Sequence, residues 1–199
     1  MLKIGLTGNI GSGKTTISKI FELLGIPVFY ADDAAKNVMV TDDILIGEIK
    51  SAFGSQSYFD DGTLNRKYIA NIVFNNDGQL ARLNSLVHPA TLRAFGTWLK
   101  NVNNAPYVLK EAALLFESGS YKLCDYTILV KAPLETRINR VIQRDKLTRT
   151  EVEKRESHQF PEEKKATLAD YIVINDDTQL VIPQVLELHR EFLSLVNNQ

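Results

Sequence analysis

Residues 8–15 read Gly-Asn-Ile-Gly-Ser-Gly-Lys-Thr, the spacing G-x-x-x-x-G-K-[ST] in which successive backbone N–H groups turn inward around phosphate oxygens. In such a loop Asn9, Gly11, Ser12, Gly13 and Thr16 border the phosphates, Lys14 reaches the outer ones, and the Thr15 hydroxyl is placed to ligate Mg²⁺. The chain is expected to bind a nucleoside triphosphate.

Moving a phosphoryl group from that site to a small molecule needs three further things: a group that orients the acceptor hydroxyl, cations for the equatorial oxygens, and exclusion of water. Asp32 follows an apolar run that ends at Ala31. A carboxylate there can take the acceptor's proton and hold its oxygen in line with the γ-phosphorus. The competing role is a cap on the next helix, for which Asp33 is also available. Arg137, Arg140 and Arg144 share a helical face, and Arg149 and Arg155 follow in a charged, proline-containing stretch ending near Lys165. A mobile lid over residues 140–166 would bring guanidinium groups to the phosphates and close off solvent. The alternative is a solvated, salt-bridged helix, because Glu151, Glu153 and Glu156 lie among the cations.

The elements that must position these groups are legible as patterns. Leu2 to Thr7 is a buried strand leading into the loop, and Ile17, Ile20, Phe21 and Leu24 recur at helical spacing until Gly25. A helix starting near Gly13 aims its positive dipole end at the anion. Further apolar runs at 27–31, 106–112, 126–130 and 171–174 read as strands separated by helical pattern. The expected fold is α/β: a P-loop NTPase-type parallel sheet of about five strands, covered by helices on both faces, with ligands at the carboxyl ends of the strands. Residues 34–100 show helical spacing and no convincing strand, so they are expected to form a helical insertion between core segments 1–33 and 101–199.

Within the insertion Gly54 and Gly62 bracket a break with a turn at Tyr58-Phe59-Asp60-Asp61-Gly62, and His88-Pro89 is expected to open a new helix. Phe53, Tyr58, Phe59 and Phe74 are assigned to its core, with the lining of a ligand groove as the alternative. At the end of the chain Leu180, Val181, Val185, Leu188, Phe192, Leu195 and Val196 form the apolar face of a packing helix, with Pro183 in its first turn.

Several function classes are disfavoured. Net charge is −1 and pI about 6.3, so there is no global basic field for nucleic acid or a membrane surface. No apolar stretch approaches the roughly 18 residues that span a bilayer. Cys124 is the one cysteine, so no internal disulfide forms, and with no leader-like start a cytoplasmic setting is expected. An Asn-Lys-x-Asp guanine reader and an Asp-x-x-Gly element are both missing, against a GTP switch. A monomer is expected, with weak homo-oligomerisation as the alternative.

Taken in order along the chain, the motifs resemble the dephospho-CoA kinase (CoaE) family over nearly its whole length. Ile4 to Thr15 resembles that family's opening, where Gly usually stands at Asn9; Ala31-Asp32 matches its Asp-Ala-Asp element. His88-Pro89 matches its His-Pro pair and Leu114-Leu115-Phe116-Glu117 its Pro-Leu-Leu-Phe-Glu run. Arg140, Gln143-Arg144-Asp145, Arg155 with Gln159, and Ala169-Asp170 followed by Asn175 fit its C-terminal third. This chain departs at Tyr30, Glu111, Ala113 and Asn65, while Arg66 is kept.

The resemblance implies transfer of the γ-phosphoryl of ATP to the ribose 3′-hydroxyl of dephospho-CoA, with Mg²⁺, giving CoA and ADP. Asp32 would orient that hydroxyl, Lys14, Arg140 and Arg144 would hold the phosphates, Thr15 the metal, and Asn175 would border the adenine. The helical insertion would bind the acceptor, which Arg66, His88 and Gln159 would meet, although a His before Pro at a helix start also fits a structural role. From the residues alone, a nucleoside or nucleoside-monophosphate kinase and a nucleotide-binding module without turnover stay open.

Overall fold

Five short apolar runs pair into one sheet in the order β2-β3-β1-β4-β5: β1 (Leu2–Thr7), β2 (Val28–Tyr30), β3 (Tyr107–Glu111), β4 (Tyr126–Lys131) and β5 (Tyr171–Ile174). Every pairing is parallel. Ile4, Leu6, Val108, Leu109, Ile128, Leu129 and Val130 are fully buried, as inner strands covered on both faces must be. β1 and β2 are not neighbours. The crossover through α1 (Lys14–Leu23) skips one place, and β3 fills it, with Leu6 and Tyr30 both in register with Glu111. The carboxyl ends of β1, β2 and β3 therefore finish on one rim, where a ligand of such a sheet belongs.

The computed structural model describes residues 1–74 and 76–198, and the chain forms two compact units, Met1–Tyr30 with Val102–Gln199, and Ala31–Asn101. In the first, Ile17 and Phe21 of α1 and Val185, Leu188 and Phe192 of α9 (Val181–Asn197) pack with the β1, β3, β4 and β5 side chains. Each such burial is worth about 1.5–3 kcal/mol. Tyr107 lies edge-on to Phe21 and Phe192, and its hydroxyl meets His189 Nδ1 at 2.6 Å. Leu180 is the exposed residue before α9, so the apolar face starts one residue later than the sequence pattern suggests. Three helices, α6 (Leu134–Asp145), α7 (Arg149–Glu156) and α8 (Glu162–Leu168), complete this unit.

The second unit is helical: α2 (Ala31–Thr41), α3 (Asp43–Phe53), α4 (Arg66–Val73) and α5 (Asp77–Asn101), with one antiparallel bridge between Tyr58 and Leu64. Val38, Leu45, Ile49, Phe53, Tyr58, Ile69, Leu83, Val87 and Ala90 form its core. Phe59 and Phe74 are exposed rather than part of that core. His88-Pro89 does not open a helix; Pro89 lies inside α5. An internal proline removes one backbone bond and costs about 3 kcal/mol. Leu83 and Val87 before it and Ala90 and Phe95 after it are all buried on α5, and that continuous apolar stripe outweighs the break.

Asp42 caps α3 by accepting the Leu45 N–H at 2.9 Å, and its other oxygen takes the Arg93 fork. Those contacts, the Leu45 N–H first and Arg93 next, hold its carboxyl below the usual value. Asp42→Ala is expected to destabilise this unit by about 1 kcal/mol in chemical unfolding at neutral pH. Because the folded-state value is depressed, the stabilisation is present above the ordinary carboxylate range and vanishes as pH falls through the lowered value. Equal stability of variant and parent at pH 7 would contradict the assignment.

Candidate active site

β1 ends at Thr7, and the chain turns through residues 8–13 before α1 opens at Lys14. Gly11 and Gly13 have φ of 80° and 94°, in the left-handed region that glycine tolerates. A Cβ at Gly11 would lie 2.3 Å from the Arg137 carbonyl oxygen, and one at Gly8 would lie 2.5 Å from both Ser12 Oγ and the Val130 oxygen. The loop thus rests directly on α6 and β4. Gly13 is the N-cap of α1 and brings no side chain to cap it, which leaves the helix's opening N–H groups to an anion. Lys14 folds back along the loop, its Nζ donating to the Gly8 carbonyl at 2.9 Å. Thr15 and Thr16 are exposed in the first turn.

Arg140 and Asn175, far apart in sequence, meet at this loop. Asn175 Nδ2 donates to the Ser12 carbonyl at 2.7 Å, and a Cβ on Gly13 would sit 2.3 Å from that nitrogen. Arg140 donates to the Asn175 carbonyl at 3.0 Å and pairs with Asp177, with a weak approach of 3.5 Å to the Gly11 carbonyl. Asp177 is 70% exposed, so this pair is worth about 1 kcal/mol or less and yields readily to a phosphate.

The other arginines separate. Arg144 is 65% exposed and forks onto Asp145, and Arg149 is held by Glu135 and Glu153. Arg137, grouped with Arg140 and Arg144 by its helical spacing, is only 4% exposed and so does not join them as a cation open to phosphate. It lies on the stripe of α6 that buries Ile138 and Val141, donates to the Ala132 carbonyl at 3.0 Å and pairs with Glu156 at 2.7 Å. It is a strut inside the fold.

Around that strut runs a polar network that sequence patterns did not reveal. Asn9 Nδ2 donates to Glu156 Oε1 at 2.8 Å and to the Phe160 carbonyl at 3.1 Å. Gln159 accepts the Ile10 N–H at 2.8 Å and donates to the Ala113 carbonyl at 3.3 Å. Its amide therefore supports the loop from within the fold. The same carbonyl accepts Lys165 Nζ at 3.1 Å and the Thr7 hydroxyl at 3.4 Å. Lys165 is fully buried, 2.9 Å from Glu117, whose oxygen also takes the Phe160 N–H. Burial pushes the Lys165 ammonium below its usual value, with Glu117 opposing. Glu117 was visible in the Leu-Leu-Phe-Glu run; nothing in the pattern around Lys165 marked it. Cys124 takes no part in this network, and burial raises its thiol to about 11, which keeps it protonated and inert.

In the helical unit, α2 begins at Ala31, so Asp32 and Asp33 both fall in its first turn and neither is the N-cap. Asp33 pairs with Lys36 at 2.7 Å, while Asp32 is exposed. Arg66 opens α4 and is exposed; Asn65 caps that helix by accepting the Tyr68 N–H at 3.1 Å. His88 is half-buried in the middle of α5. Among the described residues no group of three or more His, Cys, Asp or Glu could hold a metal ion. The hard oxygen of Thr15 at the loop fits a Mg²⁺ that is held mainly by phosphate oxygens and water, the usual habit of that ion. No helix among the described residues is long and apolar enough to cross a membrane.

Comparison with known proteins adds to this geometry. A family model described as dephospho-CoA kinase matches residues 2–180. A dephospho-CoA kinase of Bacteroides fragilis is 34% identical over 94% of this chain and 91% of its own length. A crystal structure from Thermus thermophilus superposes with a TM-score of 0.84 at 35% identity, covering 96% of each chain. A solved structure of dephospho-CoA kinase from Campylobacter jejuni gives a TM-score of 0.68 at 27% identity, covering 99% of this chain and 98% of the other.

Proposed function

The chain belongs to the dephospho-CoA kinase family, ATP-dependent enzymes that phosphorylate the ribose 3′-hydroxyl of dephospho-CoA to give CoA and ADP, and on that premise we propose how its residues carry the reaction. The loop from Asn9 to Thr16 takes the β- and γ-phosphates on backbone N–H groups and on the positive end of α1. Lys14 exchanges the Gly8 carbonyl for phosphate oxygens, and Arg140 exchanges Asp177. Thr15 would hold Mg²⁺, which would supply neutralisation of phosphate charge. Asn175 borders the adenine.

Asp32 stands two residues beyond β2, whose carboxyl end shares the loop's rim. Its carboxylate orients the 3′-hydroxyl and takes the proton as that oxygen bonds to the γ-phosphorus and the bond to the ADP oxygen breaks. Arg66 and His88 meet the acceptor held by the helical unit, and Gln159 is reassigned from the acceptor to support of the loop. Within the lid stretch 140–166, Val152, Glu156, Gln159 and Lys165 are built into the fold, so the part that closes is the exposed turn around Arg144, which leaves Asp145 for the phosphates as water is excluded. The enzyme works as a cytoplasmic monomer.

The observation that carries this reading is the glycine-capped start of α1 with Lys14 and Arg140 already at the loop. The test is ADP release with ATP and a panel of acceptors. Dephospho-CoA is expected to stimulate turnover at least about tenfold over the ATP-only background, with nucleosides and nucleoside monophosphates silent. Strong activity on one of those beside silence with dephospho-CoA would contradict the acceptor assignment.

A further inference from the structure

A phosphate loop of this spacing works through its backbone, and its pattern asks for no side chain at residue 9. Here Asn9 is fully buried, and its Nδ2 is tied to Glu156 Oε1 and to the Phe160 carbonyl. Both partners are acceptors, which fixes the orientation of the amide. The second Glu156 oxygen takes Arg137 Nη1, which also lies 3.4 Å from the Ile10 carbonyl, while Gln159 accepts the Ile10 N–H. The Ile10 side chain packs with Ile138, Val141 and Val152. The front of the loop is therefore fastened, by side chain and by backbone, to the last residue of α7 and to the connector behind it.

The opposite end of α7 is built differently. It is closed by its own capping box, Thr148 with Glu151, and joined to α6 through Lys146 at φ 57°. The hydrogen-bonded tie of α7 to the loop is made by Glu156, beside the apolar contact of Val152 with Ile10. We infer that Asn9 and Glu156 are positioning residues for ATP, a tie between α7 and the loop that holds the loop's backbone in its phosphate-accepting form. The inference rests on the reading of the loop as the ATP site. A group that only holds the loop ready acts equally on ground and transition states, so its loss raises KM and spares kcat.

Asn9→Gly removes the tie and leaves a residue that every loop conformation tolerates. It is expected to raise the KM and the calorimetric Kd for ATP about tenfold, equivalent to about 1.4 kcal/mol. The KM for dephospho-CoA should stay within about twofold and kcat should fall less than about threefold. Glu156→Gln, which removes the charge from the Asn9 bond, should raise the KM for ATP as well, and the double variant should lose less than the sum of the two single losses, because the Asn9–Glu156 bond is counted in both. An unchanged ATP affinity in Asn9→Gly, additive losses in the double variant, or a fall in kcat that follows thermal stability while ATP affinity stays put would overturn the tie. Binding calorimetry without acceptor keeps the test independent of the kinase reading: parent protein that binds ATP but ignores dephospho-CoA sinks that reading and leaves this one standing.

Discussion

Asp32→Asn is expected to lower kcat at least about 100-fold, equivalent to near 3 kcal/mol of transition-state stabilisation. The asparagine keeps the size and the exposed place in the first turn of α2 but cannot take the hydroxyl's proton. The KM for ATP should stay within about threefold, since the proposed contacts to the triphosphate are the loop, Lys14 and Arg140. Steady-state kinetics with both substrates varied separate the two effects. Turnover near the parent value would remove Asp32 from the chemistry, and a rise in the KM for ATP with kcat kept would make it a nucleotide contact.

Gly11→Ala is the second large effect. The new Cβ would stand 2.3 Å from the Arg137 carbonyl oxygen and 2.9 Å from two further main-chain atoms of the same residue, at a φ of 80°. Nothing flexible is there to yield, because Arg137 is itself pinned to Ala132 and Glu156. The loop must lift from α6, at a cost of about 2–4 kcal/mol. For a chain of this length that is a fall of roughly 4–16 °C in Tm, together with loss of detectable ATP binding by calorimetry. A variant that melts with the parent and binds ATP normally would mean that the loop does not rest on α6.

The sheet was the most legible part of the molecule because burial of the inner strands β1, β3 and β4 writes them as short, mostly apolar runs. All five appear where the pattern places them, within a residue or so at each end. Strand order was not written anywhere: that β3 enters between β1 and β2 is decided by which edges pair in space. Pro89 misled because proline reports local backbone cost, whereas α5 is held by side chains on both sides of it. The loop's role was legible since its chemistry fixes spacing, glycines and lysine together. Arg137 and Arg140 look alike in sequence, and only the inward face of α6 makes one a buried strut and leaves the other at the loop. The partners of Asn9, more than a hundred residues away, carry no local signal at all.

The most direct measurement is a crystal structure of the ternary complex with a non-hydrolysable ATP analogue and dephospho-CoA. The expected result is a carboxylate oxygen of Asp32 about 2.6–3.2 Å from the ribose 3′-oxygen, with that oxygen in line with the γ-phosphorus at about 3–3.5 Å and the phosphates seated on residues 8–15. A fully occupied complex in which the Asp32 carboxylate turns away from the 3′-oxygen, or in which the triphosphate lies off the loop, would contradict the account.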